Sequence, residues 1–94
     1  MTLDEYRRTL AALDEQIIDL IAKRQKIAAS IGRIKHRDAI PIHDEAQHAQ
    51  VMGRVFDSAV EHNIDPVSVQ KVFELLVAMS EERQHECAGE GNLP

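Results

Sequence analysis

From Thr2 to about Lys35 the chain repeats apolar residues at intervals of three and four: Leu3, Tyr6, Leu10, Leu13, Ile17, Leu20, then Ile27, Ile31 and Ile34. Side chains so spaced share one helical face, so the pattern predicts a single long helix. Thr2 followed by Glu5 supplies a capping-box start. A seam this regular is a heptad pattern and needs a second helix to cover it. One tooth is missing: position 24, four after Leu20 and three before Ile27, is arginine.

The helix is expected to break in the stretch 36–41, where Pro41 biases Ile40 away from helical dihedrals. Asp44 is the expected N-cap of a second helix, with Gln47 in the reciprocal capping position. That helix runs to about His62, buries Val51, Met52, Val55, Phe56 and Ala59, and stops at Asn63. Asp65 caps a third, with Pro66 in its first turn. Its stripe is Val69, Val72, Phe73, Leu76 and Met79, and it ends near Ala88. The expected fold class is therefore all-α, three helices in one domain over 1–88, with a frayed tail over 89–94.

Length turns this into an architectural statement. A first helix of some 33 residues is a rod of about 50 Å, whereas a compact globule of 94 residues is only about 32 Å across. Part of the seam would stand in water on a lone chain. An intertwined homodimer whose long helices pair is the economical solution; a monomeric bundle whose first helix bends at Gly32 is the alternative. With 44% hydrophobic residues but only three aromatic ones, the core is thin enough to want a second chain.

Composition narrows the classes of function. A single cysteine, Cys87, excludes an internal disulfide framework and fits a reducing compartment. No apolar run approaches a membrane span and no signal segment follows Met1, so a soluble, cytoplasmic protein is expected, with no membrane partner. The net charge of −5 hides an asymmetry: residues 1–37 carry eight of the eleven Lys/Arg against five acids, and the remainder carries three against eleven. Without a basic stripe, nucleic-acid binding is not expected. An anion that binds here must be held by a few placed cations in the first third.

Arg24 is the most informative of these. On a buried seam its guanidinium must pair with an acid of another helix or grip a ligand anion as a bidentate fork. Lys35, eleven residues on, shares its face about 16 Å away, although a lysine there also suits a solvated helix end. Arg7 flanks the same seam about 25 Å from Arg24, so one small ligand could touch both only across two chains. On the third helix the buried face continues from Leu76 to Ser80 and Gln84, polar groups that either find backbone partners or line a site. Asp44 is accounted for by capping alone. His43 and His48 are five apart and no Cys or acid cluster completes a metal set, and neither a phosphate loop nor a catalytic triad is present. A dimerisation module without chemistry is the remaining reading of the seam.

Arg7 with Leu13-Asp14, Leu20 through Arg24, Gly32 through Lys35, Pro41 through Asp44, and the third helix through Ser80 and Gln84 together give a pattern that resembles the all-helical chorismate mutases. The resemblance spans about residues 3–88, and rests on the order and spacing of the motifs. It implies an intertwined dimer whose two active sites are each completed by an arginine of the other subunit. It further implies that Arg24 and the partner chain's Arg7 clamp two carboxylates, that Lys35 and Gln84 bind the ether oxygen, that Asp44 lies against the ring hydroxyl, and that Ser80 supports a carboxylate. The reaction implied is chorismate to prephenate, without cofactor or covalent intermediate. Such a unimolecular step needs a folded conformer and a cation at the developing charge.

Two positions depart from the family pattern. Where an arginine and a glutamate usually follow the capping Asp, this chain has Gln47 and His48. Recognition of the ring substituent is thereby expected to change, which brings isochorismate (by pyruvate elimination) and 4-amino-4-deoxychorismate into consideration as substrates. A weakly active regulatory or assembly module that docks on an enzyme of the shikimate pathway is the further alternative.

Overall fold

The computed structural model describes residues 1–88, and the tail expected over 89–94 lies outside them. Three helices account for the described chain: α1 (Leu3–Arg37), α2 (Glu45–Glu61) and α3 (Pro66–Ala88). Their starts follow the caps. Glu5 N–H donates to the Thr2 hydroxyl and Thr2 N–H donates to the Glu5 carboxylate, the full reciprocal box. Asp44 accepts from Gln47 N–H at 3.1 Å, which is half of the expected box, since the amide does not reach back. Asp65 accepts from Ser68 N–H and from its hydroxyl, and the hydroxyl contact holds the Asp65 carboxyl below its usual range.

Both inner helix ends close as Schellman motifs. Ile40 N–H reaches Lys35 O and Ala39 N–H reaches His36 O, with Ala39 at φ 54°. Ile64 N–H reaches Ala59 O and Asn63 N–H reaches Val60 O, with Asn63 at φ 58°. Asn63 is thus the stop anticipated from sequence, whereas at the first end an alanine occupies a conformation that glycine or asparagine fills at lower cost.

α3 packs against both α1 and α2, which scarcely touch each other. It runs parallel to α1 and antiparallel to α2: Arg24 meets Phe73 and Gly32 meets Gln84 on one side, and His43, His48 and Met52 meet Glu81, Glu74 and Gln70 on the other. The molecule is a plate of 54 × 31 × 14 Å with a Cα radius of gyration of 16.7 Å, against about 12 Å for a compact chain of this length. Its long dimension is α1, which is unbroken at Gly32. That glycine serves a close helix crossing instead: a Cβ there would stand 2.5 Å from the Gln84 carbonyl oxygen.

The expected stripes are covered unevenly. Ala28, Ala29, Val55, Ala59 and Cys87 form the small buried core. The seam of α1 is open: between Leu3 and Leu20 only Glu5 is even half-buried, and Leu10 and Ile17 are 58% and 55% exposed. Phe56, Val72 and Met79, assigned to buried stripes by periodicity, are exposed as well. They face away from the only neighbours one chain provides. No helix among the described residues is long and apolar enough to cross a membrane.

Candidate active site

Because α3 holds α1 and α2 apart, the space between them is a cavity of about 400 Å³, within the size range of small-molecule sites. α1 contributes Arg24, Ile27, Ala28, Ile31 and Lys35 to its walls, and the connection contributes Ile42 and Asp44. α2 adds Gln47, His48, Val51 and Arg54, and α3 adds Val77, Ser80, Glu81 and Gln84. Seven residues singled out from sequence, Arg24, Lys35, Asp44, Gln47, His48, Ser80 and Gln84, therefore meet in one place although sixty positions separate the first from the last.

Arg24 has no acidic partner among the described residues. Its guanidinium lies over the Phe73 ring, Cζ 5.9 Å from the centroid, a stacking that supports the plane and leaves its N–H fork unspent. The salt bridge that would have explained this arginine structurally is not formed among the described residues. Lys35 donates from Nζ to Ile42 O at 2.6 Å, which fixes the ammonium at the cavity mouth with two further donors. Gln84 is buried, and its Oε1 has no hydrogen-bond partner among the described residues. A sealed amide oxygen without a donor is costly and is retained where a binding site needs the group.

Asp44 both caps α2 and lines the cavity. His48 Nε2 is held by Glu74 at 3.0 Å, so its second ring nitrogen is the one free to meet a guest. Arg7 stands apart: exposed on the open half of α1, it makes a 3.9 Å ion pair with Asp4 and does not line the cavity.

Two features escaped the sequence. Arg54 lines the cavity from α2, yet it lies outside the apolar stripe and reads locally as a solvated helix cation. Glu81 also lines it and is paired with His43, whose ring bridges Glu81 at 2.8 Å and Glu45 at 2.7 Å. Hydrogen bonds to Glu45 and then Glu81 push the His43 pKa up to about 9. Near neutrality His43 is a cation that offsets the Glu81 charge beside the cavity. No spacing rule foretells a contact across 38 positions.

The family model for chorismate mutase type II matches residues 6–85. The chain belongs to that family. It is 32% identical over 75 residues to a chorismate mutase of Methanocaldococcus jannaschii, covering 80% of this chain and 76% of that protein. It is 25% identical over 71 residues to the bifunctional chorismate mutase/prephenate dehydratase of Escherichia coli, covering 76% of this chain but only 18% of that larger protein. A 4-amino-4-deoxychorismate mutase of Streptomyces pristinaespiralis is 26% identical over 92 residues, covering 98% of this chain and 71% of that protein. The family match includes every cavity-lining residue and Arg7.

Proposed function

We propose that this chorismate mutase family member rearranges chorismate to prephenate as an intertwined homodimer with shared active sites, in the biosynthesis of phenylalanine and tyrosine. The observation that carries the reading is Arg24, without an acidic partner among the described residues, lining the cavity that Lys35 and the buried amide of Gln84 share. Cations without internal partners in a cavity are stabilised by an anionic guest, and chorismate carries two carboxylates. The open seam of α1, with Leu3, Tyr6, Leu10, Leu13 and Ile17 exposed, supports a second copy as its cover. Pairing of long helices brings the partner's first turns towards this cavity, which gives Arg7 a role that it cannot have on its own chain.

In this reading Arg24 and Arg7 of the other subunit clamp the carboxylates and hold the chain of the substrate folded over its ring. Asp44 lies against the ring hydroxyl and Ser80 supports a carboxylate. As the C–O bond breaks and the new C–C bond forms, negative charge grows on the ether oxygen. The Lys35 ammonium and the Gln84 amide N–H stabilise that charge, so they bind the transition state more strongly than the ground state. No nucleophile and no proton transfer are required. Accelerations at the low end for enzymes need about 8 kcal/mol, a load that orientation and electrostatics together can carry.

A second reading has its own support. Gln47 and His48 replace the cation and carboxylate that usually follow the capping Asp, and among these relatives the one that covers the most of this chain is a 4-amino-4-deoxychorismate mutase. Incubating the protein separately with chorismate, 4-amino-4-deoxychorismate and isochorismate, and identifying products by NMR, distinguishes the readings. Prephenate formed with the highest kcat/KM of the three supports the first. A higher kcat/KM on the amino substrate establishes the second, and pyruvate release from isochorismate replaces both with a lyase.

A further inference from the structure

The cavity holds a second arginine, Arg54. Gln47, His48, Val51 and Arg54 line the cavity at offsets of three, four, seven and ten from Asp44, which lines it too, so they form one face of α2. Arg54 ends that row, two turns and about 10 Å beyond Gln47. Long side chains on a helix lean towards its N-terminus and cover the preceding turn. A side chain so directed brings the Arg54 guanidinium within reach of the turn that carries Val51 and Gln47.

The packing of α3 fixes which end of the cavity this is. Gln70 Nε2 donates to Met52 O at 3.1 Å, and Val55, the neighbour of Arg54, shares a small apolar pocket with Phe73. Phe73 is the ring beneath Arg24. Two guanidiniums, one from α1 and one from α2, thus approach the same end of the cavity. Lys35, Ile42 and Asp44 occupy the other end. Arg54 has Asp57 one turn away, a spacing that favours an ion pair, yet it forms none among the described residues. Of the charged lining groups, Arg24, Lys35 and Arg54 oppose Asp44 and Glu81, and Glu81 is already engaged by His43.

We infer that Arg54 is a substrate-binding residue that, with Arg24, holds one carboxylate of the substrate and supplies from two turns further along α2 the cation that Gln47 lacks. The inference rests on the dicarboxylate reading of the cavity and adds a specificity determinant to it: a guest with its carboxylate at the Phe73 end is retained, and one without it is not. Hydrogen bonds to a charged acceptor are the strong ones, and Arg54 holds the carboxylate in ground and transition state alike, so its loss appears in KM more than in kcat.

The test is steady-state kinetics on chorismate with Arg54→Ala, Arg54→Lys, the double variant Gln47→Arg/Arg54→Ala, and Arg24→Ala as the reference, each checked for unchanged helicity and melting. Arg54→Ala is expected to raise KM by about 10- to 100-fold with kcat within about threefold of the parent. Arg54→Lys recovers part of the loss, and Gln47→Arg in the Arg54→Ala background recovers most of it. A KM within twofold of the parent for Arg54→Ala, while Arg24→Ala abolishes turnover, overturns the inference and leaves the dicarboxylate reading intact. A raised KM that Gln47→Arg leaves uncorrected overturns the claim that the two positions serve one charge. If the unaltered protein turns over none of the three substrates, or Arg24→Ala has no effect, the underlying reading falls and the inference with it.

Discussion

Substituting alanine for each of two glycines separates helix propensity from helix packing. At Gly53, midway along α2, an added Cβ meets nothing within 4 Å, so only propensity acts and Gly53→Ala is expected to stabilise by about 1 kcal/mol. At Gly32 the same methyl would stand 2.5 Å from Gln84 O, 2.8 Å from Gln84 Cα and 3.1 Å from its carbonyl carbon. These are backbone atoms of a packed helix and cannot swing aside. The first contact falls about 0.9 Å short of the 3.4 Å at which ordinary contact begins, so α1 and α3 must part by nearly that much. Overpacking of this kind costs about 1–3 kcal/mol, set against the same propensity gain of about 1 kcal/mol. The two variants should therefore differ by about 1–3 kcal/mol, with Gly32→Ala the weaker. Because Gln84 rides on the displaced turn, kcat should also fall, by up to about 100-fold for a shift approaching 1 Å. Urea denaturation at matched protein concentration and initial-rate kinetics measure both. Gly32→Ala as stable as Gly53→Ala, with kcat unchanged, would refute the close-crossing account of Gly32.

Three further outcomes follow from the same geometry. His43 is raised from 6.5 to about 9 by Glu45 and Glu81, so the stability from clamping the α1–α2 connection onto α3 is full below about pH 6.5 and lost as pH rises through about 9. His43→Asn should flatten that part of the stability–pH curve, and parallel curves for parent and variant would contradict the clamp. Ala39, at φ 54° in the Schellman turn, should gain about 0.5–1 kcal/mol on replacement by glycine, read as a raised urea midpoint. Ile17→Glu places a charge on the open seam and should shift the sedimenting species from dimer to monomer, while a parent protein already monomeric at micromolar concentration would remove the basis for pairing.

What could be read from the residues was mostly local. Thr2, Asp44, Asn63 and Asp65 mark helix ends by chemistry that acts over three or four positions, and the structure uses each of them for that purpose. The break in the seam at Arg24 was visible for the same reason, because a heptad pattern makes one charged position conspicuous. Periodicity misplaced Phe56, Val72 and Met79 because it reports that a face is apolar and not which neighbour covers it; one chain leaves those side chains in the open. Arg54 and the His43–Glu81 pair depend on α3 lying between α1 and α2, a tertiary fact with no counterpart in the spacing of either helix. Gly32 was legible as a special position but not for its reason, since a bend and a close approach both call for glycine.

The shared site is the central claim, and subunit complementation tests it most directly. Arg7→Ala and Arg24→Ala homodimers should each be inactive, because every site lacks one clamp. When the two are unfolded together and refolded at equal amounts, half of the dimers are mixed, and each mixed dimer carries one intact site, with Arg24 from one chain and Arg7 from the other. Activity should return to about a quarter of the unaltered protein, the statistical value for a two-fold symmetric dimer. A mixture no more active than its two parents, although mixed dimers are shown to form, would contradict a site built from both chains.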